Sequence, residues 1–377
     1  MTESIDALFV SAMFAAADEA TSTEEVLIQR LDVAGVRIDL HYLGRSLHDM
    51  LSPALAHLSI PDDHTQSEHR SITIVSVWDT ASSGIESPPP PVPRSQFTER
   101  GDLIGMEDPA YRVAFHWSEY SVCVFDVDAR RAAYWVADPK HLPYWARSSP
   151  LRTILSWILQ EHGRQLIHAA AVGTKDGAVV IAGSGGSGKS TTSLTCLDAG
   201  MSFFGDDYVA VSIDPPTVYS LYATAKIADA HHPADRRFPR LPSRASDEKI
   251  VLQLHPDASE QLERAAPIVA ILTPEVVDRE STDIVGVGRD QLEHACTFTT
   301  LAQLPHAGVG SRTLIGALLD RVPSGLLRLG RSRVGVVEAV RHIAADPSVV
   351  RSSTSPSDLP LVSVFVPVHN GAHFLAA

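Results

Sequence analysis

A two-part α/β fold is predicted: a domain built on a strand, a glycine-rich loop and a helix, preceded by a β-rich α+β domain. The first observation behind this is the run Gly183-Ser184-Gly185-Gly186-Ser187-Gly188-Lys189-Ser190, which satisfies G-x4-G-K-[ST]. The second is its flanks: Gly177 to Ala182 is a short apolar run that reads as a buried strand, and Thr191 to Ala199 reads as a helix closed by Gly200. The third is the succession of short apolar runs separated by turn residues through the first 150 positions. A glycine loop between strand and helix curls successive backbone N–H groups around a polyphosphate at a helix N-terminus. Lys189 is then expected to reach the β/γ-phosphates and Ser190 to hold Mg²⁺, with Gly183, Ser184, Gly185, Gly186, Ser187, Gly188 and Thr191 completing the binding segment.

Taken in order, Ser4 to Ala20 carries an apolar stripe (Leu8, Phe9, Ala12, Phe14) that predicts an amphipathic helix packed on its own domain. Strands are predicted at Val36–Tyr42 and Ile72–Trp78, and a helix at Ser46–His57. Residues 81–99, with Pro88-Pro89-Pro90-Pro91, can neither donate to a ladder nor continue a helix, so an exposed loop or linker is expected. Strands resume at Tyr111–His116, Ser121–Asp126 and Ala132–Ala137, with a hairpin around Asp128-Ala129-Arg130. These elements make up an N-terminal domain over 1–150. A helix from Pro150 to His162 leads into the second domain, 151–345, which closes with a Leu-rich helical stretch beginning at Thr313. A Ser/Pro/Asp-rich linker is expected at 346–360, followed by a strand and turn in 361–377.

Composition narrows the class. Hydrophobic residues at 44% and charged residues at 20% are ordinary for a soluble globular protein of 377 residues. The net charge of −14 argues against nucleic-acid or anionic-membrane partners. Arginines between Arg312 and Arg341 are interrupted by Asp320 and Glu338, and read as a solvated helix face. Cys123, Cys196 and Cys296 are scattered, without C-x-x-C, which suits a reducing compartment. The N-terminus is acidic where a secretory signal would be basic, and no run approaches the ~18 apolar residues of a membrane span. A cytoplasmic location is expected.

The chemistry is expected from two further features. Asp206 and Asp207 end the apolar run Met201 to Gly205, directly after the loop's own helix. In a parallel sheet, that strand end would face the nucleotide. One carboxylate could ligate Mg²⁺ while the other accepts a proton, since close like charges raise one pKa. His168 lies in the apolar run Leu166 to Val172, read as the strand before the one that feeds the loop.

His168, the loop through Lys189 and Ser190, and Asp206-Asp207 together resemble the core of HPr kinase/phosphorylase. Loop and Gly-Asp-Asp are also similar to ATP-dependent phosphoenolpyruvate carboxykinase. The resemblance spans about residues 163 to 212 and implies a P-loop kinase domain of HPr-kinase/PEP-carboxykinase type. It implies catalytic roles for Asp207 (proton acceptor), Asp206 (metal), His168 (phosphoryl site) and Lys189, with ATP and Mg²⁺ as cofactors. The acceptor would be a hydroxyl on a peptide, protein or metabolite. The family's downstream Glu-x-Arg-Gly-x-Gly signature is absent; Tyr219 to Ile227 stands in that region, and Lys226 and Lys249 are candidates for the missing positive charge. No Leu-Ser-Gly-Gly-Gln or Asn-Lys-x-Asp motif points instead to an ABC ATPase or a regulatory GTPase. Leu361 to Leu375 resembles the first strand and turn of a family 2 glycosyltransferase, which implies as an alternative an ATP-binding regulatory or scaffolding module with a glycosyltransferase as fusion or partner.

Overall fold

Two mixed sheets organise the chain in the computed structural model, which describes residues 5–61, 72–105, 108–227, 237–242 and 248–351. The first sheet contains β1 (Val26–Val33), β2 (Val36–Leu43), β3 (Thr73–Asp79), β4 (Tyr111–His116), β5 (Ser121–Asp126) and β6 (Arg131–Val136). Their order is β1-β2-β3-β6-β5-β4, with parallel pairs only at β2/β3 and β3/β6. Side chains alternate between two covered faces. Ile38, Leu40, Tyr42, Val75, Val77, Cys123 and Phe125 share one core with Leu47, Leu51 and Leu55 of α2 (Arg45–Leu55). Leu43, Trp78, Val122 and Val124 meet Phe9, Val10, Met13 and Phe14 of α1 (Ile5–Thr23) on the other. Burial of both faces explains why polar/apolar alternation is weak in β5.

The proline-rich segment connects β3 to β4 within this one sheet rather than joining two domains. Asp79 caps the short helix α3 (Thr80–Ser83) by accepting from Ser82 N–H at 2.7 Å, and Phe97 is buried under the sheet. The helix expected from Pro150 to His162 is α5 (Arg152–Gln160); a separate short helix, α4 (Tyr144–Ser148), precedes it, and Leu151 between them is in the left-handed region. Ile154, Leu155, Trp157 and Ile158 of α5 belong to the same core as α2, and so do Tyr208, Leu221 and Leu304 from farther along the chain. One hydrophobic core therefore runs across the junction of the two sheets.

The second sheet is built from β7 (Gln165–Ile167), β8 (Ala169–Thr174), β9 (Gly177–Ala182), β10 (Ser202–Gly205), β11 (Val209–Ile213), β12 (Pro216–Tyr219), and, after the separate ribbon β13 (Thr224–Ile227) and β14 (Ile250–Gln253), β15 (Ala265–Val276), β16 (Asp283–Val285) and β17 (Ser324–Leu329). The order is β10-β8-β9-β15-β12-β11-β7, with β17 also on β15 and β16 on β17. One face carries α6 (Lys189–Asp198), which follows the glycine loop. The opposite face carries α7 (Arg289–Gln303) and α8 (Val309–Arg321), and α9 (Arg333–Ala345) packs beside α6. Val179 and Ile181 of β9 point to α6 and α9, while Ala178, Val180 and Ala182 point to α7 and α8. A strand buried on both faces reads as an unbroken apolar run, as Gly177 to Ala182 does.

Three expectations are corrected here. The sheet is mixed, because β8 runs antiparallel to both of its neighbours. The Leu-rich stretch after Thr313 is not continuous helix: β17 lies between α8 and α9, paired parallel to β15. The arginines of 312–341 do not form one helix face, since Arg321 pairs with Asp214, Arg328 with Asp283 and Arg331 with Asp278 from different elements. Of the expected 346–360 linker, Ser348–Arg351 forms the short helix α10; residues 352–360, and the glycosyltransferase-like segment 361–377, lie outside the described residues. No described helix is long and apolar enough to cross a membrane.

Candidate functional site

Strand register brings three distant sequence segments to one end of the second sheet. Ala169 of β8 pairs with Ala182, the last residue of β9, and Ala171 pairs with Gly205, the last residue of β10. Strands β9 and β10 therefore run the same way, with β8 reversed between them. The loop leaving β9, the aspartates leaving β10 and the residue entering β8 must all emerge at this end. That entering residue is His168. It is not within a strand, as expected from its apolar neighbours, but at a bend where the chain passes from β7, paired to β11, to β8. Its N–H donates to Thr300 Oγ1 at 2.9 Å instead of to a ladder.

The loop is closed by Ser187, whose Oγ donates to Ser184 O at 2.9 Å. Gly188 caps α6 at φ 104°, and a Cβ there would stand 2.6 Å from Leu329 Cδ1, so this position requires glycine. Ser184, Gly185 and Gly186 are exposed at the crown, and Thr191 is exposed on the first turn of α6. Lys189, only 6% exposed, folds back so that Nζ donates to Gly183 O at 2.6 Å and Ser184 O at 2.9 Å. Burial lowers its pKa to about 8 against the opposing pull of Asp207 and Asp206; Lys249 and Lys226 add to the lowering.

The adjacent aspartates have different surroundings. Asp206, 2% exposed, accepts from Ser193 Oγ at 2.9 Å and from Lys226 N–H at 2.8 Å, and the Ser190 hydroxyl also favours its charged form. Burial nonetheless raises its pKa, aided by the Asp207 charge. Asp207 takes donors from three segments: His168 Nε2 lies 3.2 Å from Oδ1, while Lys226 Nζ at 2.6 Å and Ser149 Oγ at 3.1 Å address Oδ2. Burial would raise its pKa, but Lys226 and His168 outweigh that and hold it well below the carboxylate range. The upward shift expected of one member of the pair thus falls on Asp206, and the residue expected to accept a proton is the one held ionised. Burial also lowers the pKa of His168, against Asp207. Its Nδ1 is buried with no hydrogen-bond partner among the described residues.

The donor set fits a hard divalent cation accompanied by phosphates. Ser190 and Asp206 present oxygen donors side by side at the start of α6, and a buried carboxylate with a raised pKa is one that nearby positive charge would relieve. Among the described residues, no three His, Cys, Asp or Glu side chains converge into an all-protein metal cage. Of the two lysine candidates, Lys226 reaches into the site with its side chain 11% exposed; Lys249 is exposed, though close enough to act on Lys189.

Ser193 and Ser149 escaped the sequence reading. Ser193 follows Ser190 by one helical turn and could have been found from that spacing. Ser149 has no local signal, because it reaches Asp207 from the segment between the two sheets.

The chain matches no protein-family profile and no curated protein sequence. Among solved structures it is similar to the HPr(Ser) kinase/phosphatase from Coxiella burnetii, at 11% identity and a TM-score of 0.27. That likeness covers 50% of this chain and 95% of the other, and it is a distant one.

Proposed function

We propose that this chain is a kinase of P-loop type that transfers the γ-phosphoryl group of ATP, with Mg²⁺, to a hydroxyl of a peptide, protein or metabolite. One observation carries the reading: Lys189, Asp206, Asp207 and His168, from three separate segments, converge at one sheet end beside a helix N-terminus. In this reading the N–H groups at the start of α6 and Lys189 hold the phosphates, and Ser190 and Asp206 hold the metal. The ion, when bound, neutralises charge on the phosphates.

Asp207 accepts the proton of the acceptor hydroxyl as the new O–P bond forms; the bond from Pγ to its bridging oxygen breaks, and ADP leaves with that electron pair. His168 orients the carboxylate by donating from Nε2. Its unpartnered Nδ1 agrees with a neutral ring whose proton sits on Nε2. Because the Glu-x-Arg-Gly-x-Gly signature is absent, HPr is not singled out as the acceptor.

The test is incubation with ATP, Mg²⁺ and candidate hydroxyl-bearing peptides and metabolites, followed by mass spectrometry for a gain of one phosphate. Transfer is expected to vanish in Lys189→Ala and to fall steeply in Asp207→Asn. Nucleotide binding with no phosphorylated acceptor would favour the regulatory module instead. Unchanged transfer by Asp207→Asn would remove Asp207 from its role.

A further inference from the structure

Lys226 lies on β13, in a ribbon separate from the main sheet. Its neighbours Ala225 and Ile227 turn into the core that contains Leu194 and Leu197 of α6. By strand alternation, Thr224 and Lys226 face the other way. There Thr224 Oγ1 donates to Ser148 O at 2.6 Å. The two ends of Lys226 address the two aspartates: its backbone N–H donates to Asp206 Oδ2 and its Nζ pairs with Asp207 Oδ2.

Asp207 is engaged by three donors, and both acceptor sites of Oδ2 are taken, by Lys226 and Ser149, so an acceptor hydroxyl can reach that oxygen only by displacing a donor. Two are held in place. His168 is fixed by its backbone bond to Thr300 and by edge-on contact with the Tyr208 ring, centroids 5.4 Å apart. Ser149 is short, and its segment is tied down on both sides by the Thr224 bond to Ser148 O and the Tyr222 hydroxyl bond to Pro150 O. Lys226 has a long flexible stem, and its ammonium lies 5.8 Å from the centre of the Tyr144 ring. Of the other ammonium groups nearby, that of Lys189 is turned onto loop carbonyls and that of Lys249 is exposed.

Resting on the phosphoryl-transfer reading, we propose that Lys226 is a further catalytic residue. Its ammonium leaves Asp207 for the γ-phosphoryl group when a nucleoside triphosphate binds, which opens one oxygen of Asp207 to the acceptor hydroxyl. The site then holds the phosphates between two lysines, Lys189 from the loop and Lys226 from the ribbon.

The test is calorimetric and needs no turnover. The wild-type protein is titrated with Mg-ADP and with the Mg complex of the non-hydrolysable imido analogue of ATP, alongside Lys226→Met, Lys226→Gln and Lys226→Arg. The backbone bond to Asp206 survives all three substitutions. Lys226→Met is expected to weaken the triphosphate analogue by about ten-fold or more, the scale of one charge-assisted hydrogen bond, and ADP by less than about two-fold. Lys226→Arg is expected to keep most of the preference for the triphosphate. Should Lys226→Met not fold, the ratio of the two affinities in Lys226→Gln decides. A wild-type ratio in the neutral variants overturns the assignment of Lys226 while leaving the kinase reading intact. Failure of the wild-type protein to bind either nucleotide overturns both.

Discussion

Replacing Asp207 by Asn removes one charge while nearly preserving shape, so its consequences can be worked from the contacts. The amide oxygen can still accept from Lys226 and Ser149, which both address Oδ2. The amide nitrogen then faces His168 Nε2, which must surrender its proton to Nδ1, an atom with no partner among the described residues. The Lys226 ammonium, 11% exposed, loses its counter-charge. Breaking a buried pair from one side costs about 3–5 kcal/mol, and the nearby Asp206 carboxylate argues for the lower end, about 3 kcal/mol. The wild-type carboxyl is held below its unfolded pKa, so it contributes stability at every pH above about 4 and loses it as pH falls through the folded value. The stability gap between wild type and Asp207→Asn should therefore be constant near neutrality and close as pH drops below about 4. Phosphoryl transfer should fall by about 10²–10⁴ through loss of the proton acceptor. With Lys226 turning to the γ-phosphoryl group as proposed, ATP affinity should rise, because the ammonium no longer leaves a carboxylate partner to do so. Urea unfolding across pH, calorimetry with Mg-ATP and initial rates test these expectations separately. Equal stability of the two proteins at pH 7 would refute the ion-pair argument, and equal rates would refute the role in proton transfer.

The Lys189 ammonium is lowered to about 8 in the fold, so the unfolded chain binds more protons between pH 8 and about 10.5. Stability relative to Lys189→Met should consequently rise across that interval, by at most about 3 kcal/mol, as thermal melts at stepped pH would record. Gly188→Ala combines a positive φ with a 2.6 Å approach to Leu329 Cδ1. It should lose about 1–3 kcal/mol of stability and most nucleotide affinity, measured by denaturation and calorimetry. Glu119, buried in the turn between β4 and β5, accepts from Arg152 Nη2 at 2.9 Å and Trp145 Nε1 at 3.0 Å. Glu119→Gln leaves Arg152 as an unmatched buried charge and should cost about 3–5 kcal/mol in urea unfolding. Transfer should also slow, because those partners flank Ser149.

Much of the site could be read locally. The glycine loop, its strand and its helix depend on chemistry confined to about twenty-five consecutive residues: an apolar run, positions intolerant of a Cβ, and a helix start. The strands of the first sheet were legible wherever short apolar runs ended at turn residues, as at β4, β5 and β6. Strand β1 was not separated from its surroundings, because its exposed and half-buried residues at the sheet edge give no sharp pattern. Strand β17 was absorbed into a helix reading, since Leu-rich sequence between two helices carries no period long enough to distinguish strand from helix.

By itself, the sequence determined the loop, the acidic pair and the kinds of groups available for chemistry, because backbone conformation and side-chain type are local properties. Tertiary structure decided how they meet. Placing β8 reversed between β9 and β10 brings His168 to the aspartates, and packing the first sheet against the second brings Ser149 to Asp207. It also decided which aspartate is held below the ordinary carboxylate range and which is pushed above it. Burial acts on both, but only Asp207 receives the Lys226 ammonium and the His168 ring, and partners from other elements cannot be inferred from two adjacent carboxylates alone.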